Sequence, residues 1–336
     1  MKYKHAMKID FVIIWVDGND PRWVEEKNKY LPSAKTSGDN STHRYRDWNN
    51  LHYWFRGVES YCPWVNRIHF VTWGHLPKWL NTRHPKLNVV NHSDYIPSEY
   101  LPTFSSHTIE LNLHRIEGLS EHFVYFNDDM FVLDRMRPDD FFVKGKPCDS
   151  AILNVHCYNM EDMVIMAPFR DIGIINHEFR MHEVIRKNIS GWFNLKYGIN
   201  NLRTLMLLAC PRFPGMMQQH LPTSFCKRTF LEVWDKYEDI LHETCLHKFR
   251  ELSDVNQWVF KEWQIAKGNF FPRSTHIGQN IPAYHIENAC QCIKKQKAKM
   301  MCLNDTEMDD ASFRECARKV NTAFRSILPN KSEFEL

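Results

Sequence analysis

The stretch Glu99–Leu133, EYLPTFSSHTIELNLHRIEGLSEHFVYFNDDMFVL, decides how the rest of the chain is interpreted. Its apolar run Phe123–Phe126 is interrupted by Asn127–Asp129 and resumes at Met130–Leu133. Apolar, β-branched and aromatic residues bounded by polar ones are typical of a buried strand. Carboxylates at the end of such a strand are costly to bury unless a cation meets them.

Two interpretations of Asp128 and Asp129 follow. A divalent metal that carries a diphosphate would satisfy them, because hard cations bind carboxylate and phosphate oxygens together. An Asx turn at the end of a strand is the simpler alternative, and for an isolated Asn-Asp-Asp it is the more frequent one. The choice between the two depends on the rest of the chain.

Other apolar runs alternate with amphipathic segments. Strands are predicted at residues 9–16, 67–74 and 87–90, and helices at residues 47–61 and 108–117. This alternation predicts an α/β fold with a mainly parallel sheet flanked by helices. Ligands of open α/β sheets bind beyond the carboxyl ends of the strands. Asp17 and Asp128–Asp129 both follow predicted strands, so we expect them on the ligand side.

The chain divides into three predicted parts. Residues 1–150 form the first part of a nucleotide-sugar-binding α/β core, and residues 216–336 complete the catalytic core and end in a helix. Residues 151–215 form a helical insertion with a basic, aromatic stretch. That stretch predicts either a solvated helical face, the more frequent case, or a contact with a membrane surface or an anionic acceptor. Residues 24–43 are polar and predicted to form a loop, and Ser253 is a candidate helix cap.

The composition of the chain limits the classes of function that it can have. The 336 residues carry 43 Lys and Arg against 40 Asp and Glu, a net charge of +3 that gives no argument for nucleic-acid binding. No stretch is apolar enough to predict a transmembrane helix. The ten cysteines are scattered, which indicates reduced thiols and a cytoplasmic protein. Cys290, Cys292 and Cys302 with His285 lack the usual spacing of zinc ligands, so a zinc site there is disfavoured.

Four separated segments carry unusual polar residues: WVDGND at 15–20, FNDD at 126–129, QHLP at 219–222 with FR at 249–250, and LND at 303–305. Carboxylates can hold Mg²⁺, Arg binds phosphate oxygens bidentately, and His can take a proton from a hydroxyl. Each signal is weak alone, but together they are suited to phosphoryl transfer.

At these segments the sequence resembles the Stealth proteins, which include bacterial capsular polysaccharide phosphotransferases and the catalytic part of lysosomal-enzyme GlcNAc-1-phosphotransferase. IDFVIIWVDGNDPRW resembles the first conserved region, and the chain from RYRDWNN through HFVYFNDDMFV resembles the second. HLPTSFCKRTFLEVWDKY and HKFRELSDVNQWVFKEWQ resemble the third and fourth, and CLNDTEMDD a late Asn-Asp element. The implied fold is a Rossmann-like (GT-A-like) sheet.

The resemblance implies a reaction and a set of site residues. A hexose-1-phosphate passes from a UDP-sugar to a hydroxyl of a glycan or lipid-linked glycan, and UMP is released with the help of Mg²⁺ or Mn²⁺. The implied catalytic residues are Asp129, His220 as general base, Arg250 as phosphate clamp, and Asp305. Asp128 and Asp129 are the implied metal ligands, and the implied substrate-binding residues are Asp17, Gly18, Asn19, Ser106, Arg115, Asn127 and Asn304.

Two other functions stay open at this point. An ordinary glycosyltransferase on a similar sheet would release UDP instead of UMP. A non-catalytic glycan-binding partner in a capsule assembly would be consistent with the 11 Trp residues and the basic insertion. For the enzyme, the expected location is the cytoplasm, with peripheral contact at the inner face of the plasma membrane through the insertion.

Overall fold

A five-stranded sheet forms the centre of the structure, a computed structural model that describes residues 7–31, 45–157 and 166–336. Its strands are β1 (Ile9–Ile14), β2 (Ile68–Thr72), β3 (Leu87–Asn91), β4 (His122–Phe126) and β8 (Thr223–Cys226). The spatial order is β3-β2-β1-β4-β8. The first four strands are parallel, and β8 pairs antiparallel with β4 at one edge. The predicted α/β fold with a mainly parallel sheet is therefore confirmed.

Alternation of side chains along the strands creates two hydrophobic cores. On β1, Phe11 and Ile13 face one core while Val12 faces the other. On β4, Val124 lies in the first core and Phe123 in the second. Both faces of a parallel sheet are covered by helices, which is why these strands are apolar almost throughout.

The helices cover the sheet on both sides. Packed in the first core are α2 (Leu51–Tyr61), α11 (Ile286–Lys295) and α12 (Asp310–Ile327). Packed in the second are α3 (His92–Tyr95), α4 (Ser106–Leu111), α5 (Met166–Glu178), α6 (Met181–Lys187), α7 (Ile189–Trp192), α9 (Lys227–Leu246) and α10 (Trp258–Ala266). Helix α8 (Asn200–Leu207) contacts the second core through Leu207, and α1 (Pro21–Lys29) packs through Trp23 in a small third cluster.

Two small sheets extend the central one. One contains β5 (Met130–Val132), β10 (Gly278–Pro282) and β11 (Met300–Asn304) in the order β10-β11-β5. The other contains β6 (Phe142–Val143), β7 (Lys146–Asp149) and β9 (Phe271–Pro272). Because β4 belongs to the central sheet and β5 to the small one, the Asn127–Asp129 turn lies where the two sheets meet.

Two local predictions are wrong. The predicted loop at 24–43 begins inside α1, which Asp20 caps by accepting a 2.9 Å hydrogen bond from the Arg22 N–H, and which has Pro21 in its first turn. Residues 32–43 of that loop lie outside the described residues. Ser253 is not a helix cap, because α10 begins only at Trp258.

The predicted insertion is mainly helical between residues 166 and 207, whereas residues 151–157 contain only a β-bridge from Leu153 to Met216 and residues 208–215 contain no helix. Residues 166–207 contain α5 to α8, and residues 158–165 lie outside the described part. Ile175 and Trp192 are fully buried in the same core as Val12 of the sheet. The proposed boundaries at 150 and 215 stay predictions. No helix in the described ranges has the length and apolarity needed to cross a bilayer.

Candidate active site

A cavity of about 570 Å³ lies at the carboxyl ends of β1 and β4, where an open α/β sheet binds ligands. Residues just after three strands line it: Trp15 after β1, Asn127–Asp129 after β4, and Asp305 after β11. The lining is completed by the start of α4, the end of β11 and two loops, which contribute Ser106, His107, Asn304, His220 and Arg250. The sheet topology thus brings together segments that lie up to nearly 300 residues apart in the sequence.

Asp129 lies in the turn between the central sheet and the small sheet. Its backbone carbonyl accepts a 2.8 Å hydrogen bond from the N–H of Leu303, which joins β5 to β11. Its Oδ2 accepts from the Cys302 thiol at 3.2 Å, whereas its Oδ1 is buried without a hydrogen-bond partner in the described structure. A buried carboxylate oxygen without a partner is costly, and burial raises the pKa of Asp129.

Several carboxylates crowd the same side of the cavity. Asp128 lines the cavity and its side chain is exposed there, and partial removal of water by the surrounding protein raises its pKa, with further increases from Asp129, Asp47 and Asp305. Like charges at short range disfavour ionisation of each other. Such a group of hard oxygen donors, with one oxygen left unpaired, fits a divalent cation of the Mg²⁺ or Mn²⁺ type.

His220 faces Asp129 from the loop that precedes β8. Its backbone is left-handed, with φ +45°, which turns the imidazole toward β4 and β11. The side-chain amide nitrogen of Asn127 lies 3.2 Å from Nε2, and the Cys302 sulfur lies 3.5 Å from Nδ1. Because an amide nitrogen only donates, this arrangement places Nε2 where it can accept a hydrogen bond, as a general base must.

Cys302 is fully buried and does not line the cavity, but its sulfur contacts two residues that do, Asp129 and His220. Within the described ranges, the only group of three or more His, Cys, Asp or Glu side chains whose ligand atoms lie within 4.8 Å of one another is Asp129, His220 and Cys302. Cys290, Cys292, Cys302 and His285 do not form such a group in the described structure. Burial and the two nearby aspartates hold the pKa of the Cys302 thiol far above its usual range, so it is a neutral donor to Asp129.

Arg250 reaches the cavity from the loop between α9 and α10. Its Nη2 donates a 2.7 Å hydrogen bond to Oγ of Ser106 at the start of α4. In the described structure Arg250 has no carboxylate within ion-pair distance. A guanidinium that is held by a neutral hydroxyl keeps its charge available for an anionic ligand.

A pair of histidines next to Arg250 was not predicted as part of the site. The buried carboxylate of Asp254 lies 2.9 Å from Nδ1 of His107 and 2.7 Å from Nδ1 of His247. Only His107 lines the cavity. No sequence pattern connects His107 to Asp254, because the two are 147 residues apart.

Both carboxylate oxygens of Asp305 already accept hydrogen bonds from other side chains of the protein. Arg46 Nη2 lies 2.8 Å from Oδ1, and the Trp48 indole N–H donates to Oδ2 at 3.2 Å. Both partners come from the segment that leads into α2, and both line the cavity. Sequence reasoning missed Arg46 and Trp48, because a charge before a helix does not show which distant carboxylate it meets.

The Asp17–Asn19 loop borders the cavity and does not line it. The N–H of Asp17 donates to Nε2 of His75 at 2.7 Å, and its Oδ1 accepts from the N–H of Asn19 at 2.9 Å. A Cβ on Gly18 would lie 2.1 Å from the carbonyl oxygen of Tyr45, a residue that lines the cavity. The loop therefore supports the cavity wall through this close contact.

Arg115 is not brought to the cavity, and the prediction that it binds substrate there is not supported. Its side chain is exposed, its Nε donates to Asn112 Oδ1 at 3.0 Å, and its guanidinium lies 5.0 Å from the ring centre of Trp234. The one-turn 3₁₀ helix Leu113–Arg115, which follows α4, directs it away from the site.

Two conserved regions of a known protein family match the segments that form this side of the cavity. Residues 7–34 match the family region described as Stealth protein CR1, conserved region 1, and residues 44–149 match Stealth protein CR2, conserved region 2. These matches include Asp17 and Asp129 and confirm the first two regions of the predicted resemblance.

Curated relatives match over nearly the full length. A capsular polysaccharide phosphotransferase WcwK of Streptococcus pneumoniae is 40% identical and covers 99% of both chains. The exopolysaccharide phosphotransferase cps2G of Lactiplantibacillus plantarum is 38% identical over 97% of this chain and 96% of its own. The receptor polysaccharide phosphotransferase WefC of Streptococcus gordonii is 38% identical over 98% and 99%. Among solved structures, the galactosyltransferase LgtC aligns with 96% of this chain and 98% of its own at 10% identity and a TM-score of 0.39.

Proposed function

Because this chain belongs to the Stealth family and its full-length relatives are polysaccharide phosphotransferases, we propose that it transfers a hexose-1-phosphate from a UDP-sugar to a glycan hydroxyl. The product would be a phosphodiester of a capsular polysaccharide or exopolysaccharide, with release of UMP. One observation supports this most: Asp129, His220, Arg250 and Asp305, which come from four separated segments, line one cavity.

The proposed step attacks the phosphorus nearest the sugar. A bond forms between the acceptor oxygen and that phosphorus, while the bond from phosphorus to the bridging oxygen of the diphosphate breaks. UMP leaves with that bridging oxygen, and the acceptor hydroxyl gives up its proton. The bond between the anomeric carbon and its oxygen is untouched, so the configuration of the sugar is kept.

His220 is the proposed acceptor of that proton. Its Nε2 faces Asn127, and Asp129 is close enough to stabilise the imidazolium that forms. The Tyr125 hydroxyl lies within hydrogen-bond distance of both Glu110 Oε1 and Asn127 Oδ1, and its contact with Asn127 helps to fix the amide beside His220. An acceptor hydroxyl would displace the Asn127 amide from Nε2 as it binds.

Arg250 is the proposed clamp for the diphosphate. The other cavity guanidinium, Arg46, is neutralised by Asp305, whereas Arg250 has only Ser106 as a hydrogen-bond partner in the described part of the chain. Charge gathers on phosphate oxygens during transfer, and a fixed guanidinium stabilises it. Ser106 would hold the guanidinium in place before the nucleotide arrives.

Asp128 and Asp129 are the proposed ligands of Mg²⁺ or Mn²⁺. The unpaired Oδ1 of Asp129 and the raised pKa of both carboxyls fit a cation that is held by oxygen donors. Such a cation supplies positive charge to the phosphate oxygens of a bound nucleotide. Asp305 would stay with Arg46 and shape the wall of the cavity.

The acceptor and the location are also part of the proposal. The printed names of the relatives imply a sugar donor and a glycan acceptor, and we propose a lipid-linked glycan as the acceptor. The ten cysteines are free thiols, which suits the cytoplasm, where nucleotide sugars are made. The enzyme would then work at the inner face of the plasma membrane.

Analysis of the nucleotide product tests the reaction. Purified protein is incubated with a panel of UDP-sugars and acceptor glycans, with and without Mg²⁺, and the nucleotides are separated by chromatography. We expect UMP, and we expect Asp129→Asn and His220→Ala to lower its formation at least a thousandfold. UDP as the product would instead indicate a conventional glycosyltransferase. No nucleotide from any donor, with capsule formation intact in cells that carry both variants, would indicate a non-catalytic glycan-binding partner.

A further inference from the structure

The outer side of the insertion exposes an unusual set of large apolar side chains. Leu195 is 97% exposed and Ile199 is 82% exposed, and the remaining members are each more than half exposed. We name this set the apolar face; it comprises Ile189, Leu195, Ile199, Leu202, Leu205 and Met206. Single exposed apolar residues are ordinary, but six of them within 18 residues mark an interaction surface.

Helix α8 arranges most of this face. Ile199, Leu202, Leu205 and Met206 recur at helical spacing, so they share one side of the helix. The opposite side is marked by Thr204, which is fully buried and accepts a 3.2 Å hydrogen bond from the N–H of Leu153. The helix is therefore fixed by its inner side, and its apolar outer side has no covering element among the described residues.

Leu195 is held beside the beginning of α8. The N–H of Asn194 donates to Asn201 Oδ1 at 3.2 Å, and the Asn201 side-chain amide donates back to the Asn194 carbonyl at 2.8 Å. These two hydrogen bonds tie the turn that carries Leu195 to the first turn of α8. The most exposed apolar side chain thus belongs to the same structural unit as the stripe on α8.

The charge around the apolar face is predominantly positive. Residues 180–212 contain six Lys and Arg side chains and a single acidic one, Glu183. Their net charge of +5 exceeds the +3 of the whole chain, so all other residues together are slightly acidic. Positive charge is therefore concentrated in the segment that exposes the apolar residues.

A groove next to the apolar face adds more positive charge. Ser190, Asn194 and other residues of the insertion line it together with five lysines: Lys144, Lys146, Lys187, Lys196 and Lys267. No acidic residue lines the groove. Only Lys267 has a carboxylate partner in the described structure, Glu232, so the other four keep their charge for an external anion.

We propose that the apolar face and the lysine groove together form a docking surface for a membrane that contains anionic phospholipids. Exposed apolar side chains enter the boundary between headgroups and acyl chains, while lysines and arginines pair with lipid phosphates. This surface rests on the proposed function in one respect, since it would hold the enzyme where a lipid-linked acceptor is displayed.

Charge argues against a second copy of the chain as the occupant. Two copies that met through this face would bring two surfaces of net charge +5 together, and like charges across an interface are unfavourable. A negatively charged bilayer complements the surface and satisfies both its apolar and its basic parts.

Vesicle sedimentation tests the proposal with the full chain. Wild-type protein is mixed with vesicles of phosphatidylcholine alone or with one quarter phosphatidylglycerol, and the bound fraction is measured after centrifugation. We expect binding at least tenfold stronger to the anionic vesicles, and weaker binding as salt is added. The triple variant Leu202→Gln, Leu205→Gln, Met206→Gln and the double variant Arg186→Glu, Lys187→Glu should each lose at least tenfold.

Matched controls make the result specific. Leu231→Gln removes a comparably exposed leucine on α9, outside the surface, and should bind vesicles like wild type. Asp129→Asn should also bind normally, so failure of the proposed chemistry and failure of the docking surface are distinguishable. Thermal unfolding of each variant confirms that it is folded.

Three outcomes would overturn the proposal: equal binding of wild type and both surface variants, equal binding to neutral and anionic vesicles, and no binding by folded wild type. Sedimentation velocity without lipid adds a separate criterion. If wild type forms a dimer that the triple variant cannot form and does not bind vesicles, the apolar face is an interface between copies.

Discussion

Nη2 of Arg46 lies 2.8 Å from Oδ1 of Asp305 and so joins the segment before α2 to the segment after β11, 259 residues away. Both side chains are largely buried, and the Trp48 indole donates to the second oxygen of the same carboxylate. Asp305 therefore has a fixed position in the cavity wall and a counter-charge of its own. This distinguishes Arg46, which is paired, from Arg250, which is not.

Replacing Arg46 with Gln should release Asp305. We expect kcat/KM for UMP formation to fall at least tenfold. We also expect the free energy of unfolding to fall by about 1–3 kcal/mol, which lies between the stability lost when an exposed ion pair is broken and the stability lost when a buried one is broken. Steady-state kinetics and urea denaturation measure the two effects. Arg115→Gln is the control, because Arg115 is exposed and outside the cavity; an equal loss of activity in both variants would contradict the assignment.

His107 and His247 provide a matched pair, because both contact the buried carboxylate of Asp254 but only His107 lines the cavity. Each substitution to Gln weakens a hydrogen bond to a buried charge, so each should lower the free energy of unfolding by about 1–3 kcal/mol. Only His107→Gln should also lower kcat/KM, by at least tenfold. Similar kinetics of the two variants would show that His107 has a structural role alone.

The stability of the fold should depend on Glu262. This side chain is fully buried, it accepts a 2.7 Å hydrogen bond from Gln218, and burial raises its pKa to about 8 from an unfolded value of 4.5. Between those two pH values the folded state keeps a proton that the unfolded state has released. Raising the pH through this window therefore destabilises the protein.

Glu262→Gln should remove that dependence, because Gln does not titrate. Tm is measured at intervals from pH 5 to pH 8.5 for both proteins. We expect the Tm of the variant relative to wild type to increase steadily with pH. A constant difference across the range would show that Glu262 is ionised in the folded protein.

Gly18 should be intolerant of a side chain. A Cβ there would approach the Tyr45 carbonyl to 2.1 Å, so Gly18→Ala must displace the chain segment that lines the cavity. We expect KM for the UDP-sugar to rise several-fold and Tm to fall. Gly173→Ala is the control: its Cβ meets nothing within 4 Å, and inside α5 alanine should stabilise by about 0.5–1 kcal/mol. An unchanged KM in Gly18→Ala would show that the loop does not support the site.

The sequence predicted the central sheet well because its strands are continuous apolar runs that end in polar residues. Asp17 and Asp128–Asp129 were placed on the ligand side by strand direction alone, and Asp128 and Asp129 do line the cavity. The resemblance supplied what spacing could not, namely that His220, Arg250 and Asp305 belong to the same site. Their convergence depends on β8, α9 and β11, whose positions no local pattern determines.

The residues that sequence reasoning missed are those whose partners are distant in the chain. Arg46 and Asp254 look like ordinary charged residues until the fold brings Asp305 and His107 next to them. Arg115 shows the opposite error: it belongs to a matched motif, yet the 3₁₀ turn after α4 directs it to the surface. A motif identifies a segment, and backbone geometry decides which of its side chains reach the cavity.

The hydrogen bond from Leu303 N–H to the carbonyl of Asp129 has a consequence for motion. It makes the carboxylate side of the cavity part of a continuous β-ladder, so the spacing of Asp128, Asp129 and Asp305 should stay constant during turnover. Arg250 lies outside this ladder, on the segment between α9 and α10 that has no regular strand or helix, so we expect any change on ligand binding to occur there. Amide hydrogen exchange would show this division as slow exchange at Leu303 in every state, and as ligand-dependent protection confined to residues 247–257.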